Sequence, residues 1–264
     1  MRNVGKSAGY AAVLLASFMA AMAASYTALG RQVDLDVYDW LFRLSRPAPW
    51  TPESLIVAID ESSLARLGGV RSLRTTAARV LERLAAAAPK VVAVDLTLVE
   101  AGDPAEDRRL EAAMGLVPNL VLAAEMLPSG EDWQDPPAAF SRRAAAVGHV
   151  HAAPDEADGV VRKVPLEKIA GRKRRWAMAL EAYRLSRGGG PVLESPEQIV
   201  VAGTVIPAAR RDARPVFIRY LPFEPGGLTP IPEIPAHEIL EDPRAAGRCR
   251  GKVVFVGVTA QSAA

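Results

Sequence analysis

Two carboxylates in this chain, Asp60 and Asp95, each close an uninterrupted apolar run of strand length. Leu55-Ile56-Val57-Ala58-Ile59 precedes the first, and Val91-Val92-Ala93-Val94 the second. Ligands gather at the carboxyl ends of parallel strands, so if the two strands are neighbours, both carboxylates point into one crevice, with Glu61 and Glu100 able to join them. Such oxygens could hold a hard divalent cation or serve acid–base or nucleophilic chemistry. The plainer alternatives are commoner: Asp60 as the N-cap of a helix opening near Ser62, and Asp95 as the partner of an arginine. Gly68-Gly69-Val70-Arg71-Ser72-Leu73-Arg74 is a flexible loop entering a helix, where backbone N–H groups and Arg74 can hold an anion. Its alternative is an ion pair from Arg74 to Asp60 or Asp95. No glycine pattern of a phosphate-binding loop is present.

His149 and His151 share one strand face, but with no cysteine or third histidine nearby they read as packing or a surface pair rather than a metal site. His237 is the only other histidine, and no serine sits in a nucleophile-elbow sequence. Arg172-Lys173-Arg174-Arg175 reads as a solvated hairpin turn and helix start, and Asp155–Asp158 with Gly159 as a turn. Neither a metal nor a cofactor is expected.

The elements that must position these residues alternate. After the first strand, Thr75–Ala88 is an amphipathic helix with Ala77, Val80, Leu81 and Leu84 on its apolar stripe, stopped by Pro89. A helix over Ala105–Met114 follows the second strand, then a third buried strand at Leu120-Val121-Leu122-Ala123. Strand, helix, strand, helix, strand implies right-handed crossovers and a parallel sheet. Further along, Val147–His151, Val160–Ile169, Val216–Tyr220 and Val253–Val256 read as strands and Trp176–Ser186 as a helix. Ile199–Val201 and Val205–Pro207 flank Gly203-Thr204 as a hairpin, and Pro222–Pro235 reads as loop. The expected fold is α/β, a mixed, largely parallel central sheet flanked by helices, preceded by an N-terminal transmembrane and stalk helix.

That leading helix rests on Gly9–Leu29, which carries no charged side chain between Lys6 and Arg31. At about 1.5 Å per residue it is roughly 31 Å long, the thickness of a bilayer's hydrocarbon core. Arg2 and Lys6 keep the N-terminus in the cytoplasm, and Tyr10 and Tyr26 stand near the two ends, where aromatic rings favour the interface. A cleaved signal peptide, with small residues at Ala21, Ala23, Ala24 and Ser25, is the alternative; length and flanks favour the anchor. Val33, Val37, Trp40, Leu41 and Leu44 then make one helical stripe opposite Asp34, Asp36 and Asp39, read as the membrane helix continuing outward as a stalk until Pro47 and Pro49. The expected division is 1–30 for the cytoplasmic tip and membrane helix, 31–47 for the stalk and 48–264 for an extracytoplasmic domain. The 264-residue chain is half apolar with a net charge of +2, which argues against a nucleic-acid-binding surface. Cys249 is the only cysteine, so no intrachain disulfide forms.

The blocks Ile56–Leu67 (IVAIDESSLARL), Val91–Glu100 (VVAVDLTLVE) with Asp103–Leu110, and Gly148–Leu166 (GHVHAAPDEADGVVRKVPL) occur here in order. Ala177–Leu185 (AMALEAYRL), Phe217–Tyr220 and Gly251–Ala260 (GKVVFVGVTA) follow. Together they resemble the CHASE2 domain, an extracytoplasmic sensor module of bacterial transmembrane receptors, over most of residues 33–260. The resemblance implies an N-terminal membrane helix, a sensor outside, then further membrane helices and a cytoplasmic output such as a cyclase, kinase or diguanylate cyclase. No second span or output is read within these residues, so the output is expected to lie elsewhere. Many relatives carry a tryptophan–proline pair where this chain has Val70-Arg71-Ser72-Leu73; Arg74 matches the arginine that follows.

The resulting expectation is a non-enzymatic sensory domain at the bacterial plasma membrane, facing the periplasm or exterior. It would answer an unidentified small-molecule or protein signal through candidate ligand-binding residues Asp60, Glu61, Arg74, Asp95 and Glu100. A homodimer through Val33, Val37, Trp40 and Leu44 would transmit the signal. The rival readings are a metal-assisted periplasmic hydrolase using Asp60 and Asp95, and a secreted binding protein.

Overall fold

The computed structural model describes residues 2–45, 51–152, 154–156, 158–221 and 231–263. The chain divides into two compact units, Met1–Trp50 with Pro154–Arg162, and Thr51–Ala153 with Lys163–Ala264.

The first unit holds α1 (Arg2–Ser25) and α2 (Ala28–Leu44). The single continuous helix expected there is instead two, bent by 86° at Tyr26-Thr27. Thr27 is the cause. Its hydroxyl donates to the Ala24 carbonyl at 2.6 Å and accepts from the Gly30 N–H at 3.1 Å, so it ends one helix and caps the next. Gly30 makes the elbow possible, because a Cβ there would stand 2.1 Å from the Ala24 carbonyl oxygen. Among the described residues, no single helix is long and apolar enough to cross a membrane; Gly9–Ser25 and Ala28–Leu44 meet that test together, as a bent pair. The proline-marked end of the stalk, at 46–50, lies outside the described residues.

The second unit runs β1 (Ser54–Ile59), α3 (Glu61–Leu67), α4 (Leu73–Ala87), β2 (Val91–Asp95), α5 (Pro104–Met114), β3 (Leu120–Met126), β4 (Trp133–Gln134), α6 (Ala138–Ser141) and β5 (Ala146–His149). After the 154–162 excursion come β6 (Lys163–Pro165), β7 (Glu167–Ala170), β8 (Lys173–Trp176), α7 (Met178–Ser186), β9 (Val192–Glu194), β10 (Gln198–Val201), β11 (Thr204–Pro207) and β12 (Pro215–Phe217). The chain closes with β13 (Glu233–Pro235), α8 (Ala236–Glu241), α9 (Pro243–Gly247) and β14 (Val253–Val258).

The central sheet is mixed and largely parallel, ordered β13-β1-β14-β2-β3, with parallel β5 and short antiparallel β4 both paired to β3. Side chains alternate between its faces. Leu55, Val57, Ile59, Val92, Val94, Leu120, Leu122, Val254 and Val256 pack with Ala77, Leu81 and Leu84 of α4, Leu110 of α5 and Ile239 of α8. Val91, Ala93, Val121 and Ala123 pack with Met178 and Ala182 of α7. Both faces are therefore covered, which is why these strands are continuous apolar runs.

Several expectations change beyond the helical break, among them the strand at Val216–Tyr220, which is confined to Pro215–Phe217. Val160–Ile169 is not one strand: β6 pairs with β12 and β7 with β8, and Pro165, without an N–H, stands at the changeover. The basic run opens in the β7–β8 hairpin turn, as expected, with Arg172 in the turn, but it does not lead into a helix. Lys173–Trp176 forms β8, and helix begins only at Met178. The run is solvated as expected at Arg172, Lys173 and Arg174, which are exposed, while Arg174 pairs with Glu194 at 2.7 Å and half-buried Arg175 with Asp135. The hairpin stands as read, its Ala202-Gly203 turn holding φ of 51° and 80°, the two left-handed residues that a tight hairpin needs. Of the Pro222–Pro235 loop, 222–230 lies outside the described residues, while Glu233–Pro235 is a strand.

Candidate functional site

The carboxyl edge of the sheet is where a ligand would sit, and there the topology separates the two aspartates. β14 lies between β1 and β2, with Gly257 opposite both Ala58 and Asp95. Two strand spacings, about 9–10 Å, part the strands that carry Asp60 and Asp95. The shared carboxylate crevice does not form, because its condition, adjacent strands, fails. Asp60 caps α3, accepting the Ser63 N–H at 2.8 Å and the Ser62 hydroxyl. Burial would raise its pKa, but the bonds from Ser63 and Ser62 outweigh that and hold it below the ordinary carboxylate value. Glu61 is taken by the Ser262 N–H at 2.9 Å and hydroxyl at 2.6 Å. Among the described residues, no three His, Cys, Asp or Glu side chains gather as a metal site.

Arg74 pairs with neither Asp60 nor Asp95. It pairs with Asp107 at 2.7 Å and donates to the backbone carbonyl of Glu100. The Glu100 carboxylate is not the group it uses. The Gly102 N–H also donates to Asp107, at 2.9 Å. A Cβ at Gly102 would meet the Arg74 guanidinium at 2.6 Å, so glycine is what lets the β2–α5 loop lie over this arginine. Arg74 is a clamp on that loop.

What remains open at this edge is a cleft of about 480 Å³ lined by Val70, Arg71, Leu73, Arg74, Asp95 to Leu98, and Val258. Arg71 is exposed, and no hydrogen bond or ion pair engages it among the described residues. Asp95 extends the β2 face that carries Val91 and Ala93. Its pKa is raised, first by the protein around it and second by the Glu125 carboxylate. Glu125 in turn accepts from the Thr97 hydroxyl at 3.5 Å. Among the described residues, the cleft thus offers the unengaged guanidinium of Arg71 and apolar walls, while the Asp95 carboxylate faces Glu125 from the other side of β2. Of the five predicted residues it unites Arg74 and Asp95 only.

A second polar group lies at the end of β5. His149 is 1% exposed and stacks at 6.3 Å on Trp133. Its Nδ1 accepts the His151 N–H at 3.3 Å, which places the proton on Nε2, a buried atom with no partner among the described residues. Burial, then His151 and Lys168, push its pKa down to about 4. His151 Nε2 accepts the Met126 N–H at 2.7 Å, and burial with Lys168 lowers its pKa against the pull of Glu125. Both imidazoles are neutral structural acceptors, as packing would have them. Gly148 has its own reason: a Cβ there would stand 2.5 Å from Met178 Cα, so glycine alone lets α7 start against β5.

The third group belongs to the N-terminal unit. Arg162, its side chain 5% exposed, holds two carboxylates at once. It donates to Asp39 on α2 at 2.9 and 2.7 Å, and to Asp158 at 2.9 and 2.6 Å. Both are fork-to-fork pairings, the geometry in which arginine binds carboxylate best. The turn expected at Asp155–Gly159 is present, the Gly159 N–H reaching the Asp155 carbonyl at 2.8 Å. Its Asp158 serves the arginine as well as the turn.

Against known protein families, the model of the CHASE2 domain matches residues 12–264. The chain belongs to the CHASE2 domain family. CHASE2 domains are extracytoplasmic sensor modules, sensory rather than catalytic. Comparison with curated proteins and with solved structures finds no match.

In this CHASE2 domain, the most useful polar residues were not among the sequence candidates. Arg71 lies in the same Gly68–Arg74 segment as Arg74, and nothing in its spacing sets it apart. Arg162 had a visible signal, a lone arginine in the apolar stretch Gly159-Val160-Val161-Arg162, but its partner Asp39 lies 123 positions away. The stalk residues Val33, Val37, Trp40 and Leu44 are all exposed on α2, between 48% and 61%.

Proposed function

We propose that this CHASE2 domain is the extracytoplasmic sensing part of a bacterial membrane receptor whose output lies outside these residues. α1 anchors it, and a small signal molecule carrying a carboxylate binds the cleft at Arg71. The observation that carries the reading is the Arg162 clamp. It ties α2 to the 154–162 strap, and the next peptide bond enters β6 of the sensing unit. A shift of β6 on ligand binding therefore moves a guanidinium that α2 must follow or release, a two-state element of the kind signalling requires.

The test uses the full chain in detergent, screened by thermal shift against small zwitterions and carboxylates. A ligand at a hundred times its Kd stabilises by about 2.7 kcal/mol. The expected hit loses its shift in Arg71→Gln. In Arg162→Gln it still binds, but no longer alters hydrogen exchange across α2. An α2 response that survives Arg162→Gln removes the transmission route, and a hit indifferent to Arg71→Gln removes the cleft.

A further inference from the structure

We infer that α2 is an interfacial helix, docked along its length on a lipid surface, rather than a stalk rising from it. The inference rests on the reading of α1 as the anchor. Three features of the N-terminal unit point to lipid.

The first is the 86° bend at Tyr26-Thr27. If α1 stands across a bilayer, a helix leaving it at a right angle lies in the plane of the headgroups. The second is the exposed face. Leu29, Val33, Val37, Trp40, Leu41 and Leu44 are between 48% and 75% exposed. At 3.6 residues per turn they span about 120° of the helix surface, the width of an amphipathic face. Exposed apolar side chains continue without a gap from α1, through Phe18, Met19, Met22 and Tyr26. Tyr26 stands at the elbow and Trp40 toward one edge of the face, the side chains and the place that favour the headgroup level. The third is the opposite side. Asp39 lies about 140° around the helix from the centre of that face, and Arg162 holds it there. The clamp therefore fixes α2 in rotation, with its apolar side turned away from the strap.

A second copy of α2 is the other occupant with a case, since Val33, Val37, Trp40 and Leu44 follow four-three-four spacing. Lipid is favoured because Leu29 and Leu41 broaden the face beyond such a seam, and because the bend turns α2 away from the α1 axis.

The experiment places spin labels, one at a time, on Val33→Cys, Val37→Cys, Leu44→Cys, Asp36→Cys and, in α1, Ala16→Cys. The full chain is reconstituted in phosphatidylethanolamine and phosphatidylglycerol vesicles. Cys249 can stay, because it is wholly buried and its thiol pKa is pushed up to about 11. Depth is read from collision with oxygen against a nickel chelate. The expected result is equal depth at 33, 37 and 44, about 5–10 Å below the headgroups, with 36 open to water. An upright stalk would separate 33 from 44 by about 16 Å in height. Water exposure at 33, 37 and 44 overturns the inference, as does spin–spin broadening between copies. The label at 16 reports separately: in lipid, the anchor stands whatever α2 does; in water, the anchor fails. Quenching of Trp40 by brominated lipid, taken as wild type minus Trp40→Phe, repeats the α2 measurement without a label.

Discussion

Lowering the pH should destabilise the sensing unit first through His149, with His151, also lowered, acting in the same direction. Unfolded, its imidazole takes up a proton near pH 6.5; folded, it resists down to about 4. Above pH 6.5 both states are neutral and the residue is silent. As pH falls below 6.5 the unfolded chain gains a proton that the folded one refuses, and stability drops until the folded imidazole titrates too. At about 1.4 kcal/mol per unit of pKa difference, the loss is about 2 kcal/mol at pH 5 and about 3 kcal/mol at pH 4. Asp95, with its raised pKa, pulls the other way over its own range. The depressed carboxylates of Asp60 and Asp158 lose their contribution only at more acid pH. The contrast of wild type with His149→Gln removes these shared terms. Urea unfolding followed by the fluorescence of Trp133, which stacks on the ring, should show the gap between the two proteins shrinking by about 2 kcal/mol from pH 7.5 to pH 5. A gap that stays constant across that range would show that His149 does not titrate between the states, and the buried neutral imidazole would have to be abandoned.

Further outcomes follow from contacts already described. Gly148→Ala drives a methyl to within 2.5 Å of the α7 backbone and should cost at least about 1–3 kcal/mol; Gly257→Ala, whose nearest contact is 3.4 Å, should cost far less, both read by thermal melting. Asp60→Ala should lose about 1 kcal/mol of cap, and Asp60→Asn only a few tenths, in the same melts; equal losses would mean that the carboxylate does more than cap α3. Gly102→Ala should free the β2–α5 loop by displacing Arg74, seen as faster hydrogen exchange from Leu96 to Asp103 with α4 unchanged.

The legible parts of the fold were those whose reason is local. Ala77, Val80, Leu81 and Leu84 announced α4 by their spacing, and all four are buried. β1, β2 and β14 announced themselves as apolar runs because both sheet faces are covered. The unread parts depend on residues far apart in sequence. That β14 inserts between β1 and β2 is invisible in either strand, yet it alone decides that Asp60 and Asp95 do not meet. The ion pairs of Lys173–Arg175 went unread because their acids, Asp132, Asp135, Glu167 and Glu194, are scattered in sequence. The break at Thr27 was hidden by composition. A threonine and a glycine inside an uncharged stretch leave its hydropathy intact, while their side-chain chemistry turns the chain.

The block Gly148–Leu166 owes its odd composition to a run of separate structural duties. Gly148 admits α7, His149 and His151 accept backbone N–H groups, Asp158 and Arg162 close on α2, and Pro165 hands the chain from one pairing to the next. Its two ends differ in what perturbs them. Acid acts at the histidine end, where protonation would put charge on buried rings already near Lys168. The arginine end ignores pH until its carboxylates protonate, since both partners raise the Arg162 pKa. A moderate drop in pH should therefore loosen the root of the strap while its grip on α2 holds. Hydrogen exchange at pH 5 should rise across 146–152 and stay unchanged in α2 around Asp39. A simultaneous rise in both would mean that the strap behaves as one cooperative unit, and that the clamp is no independent joint.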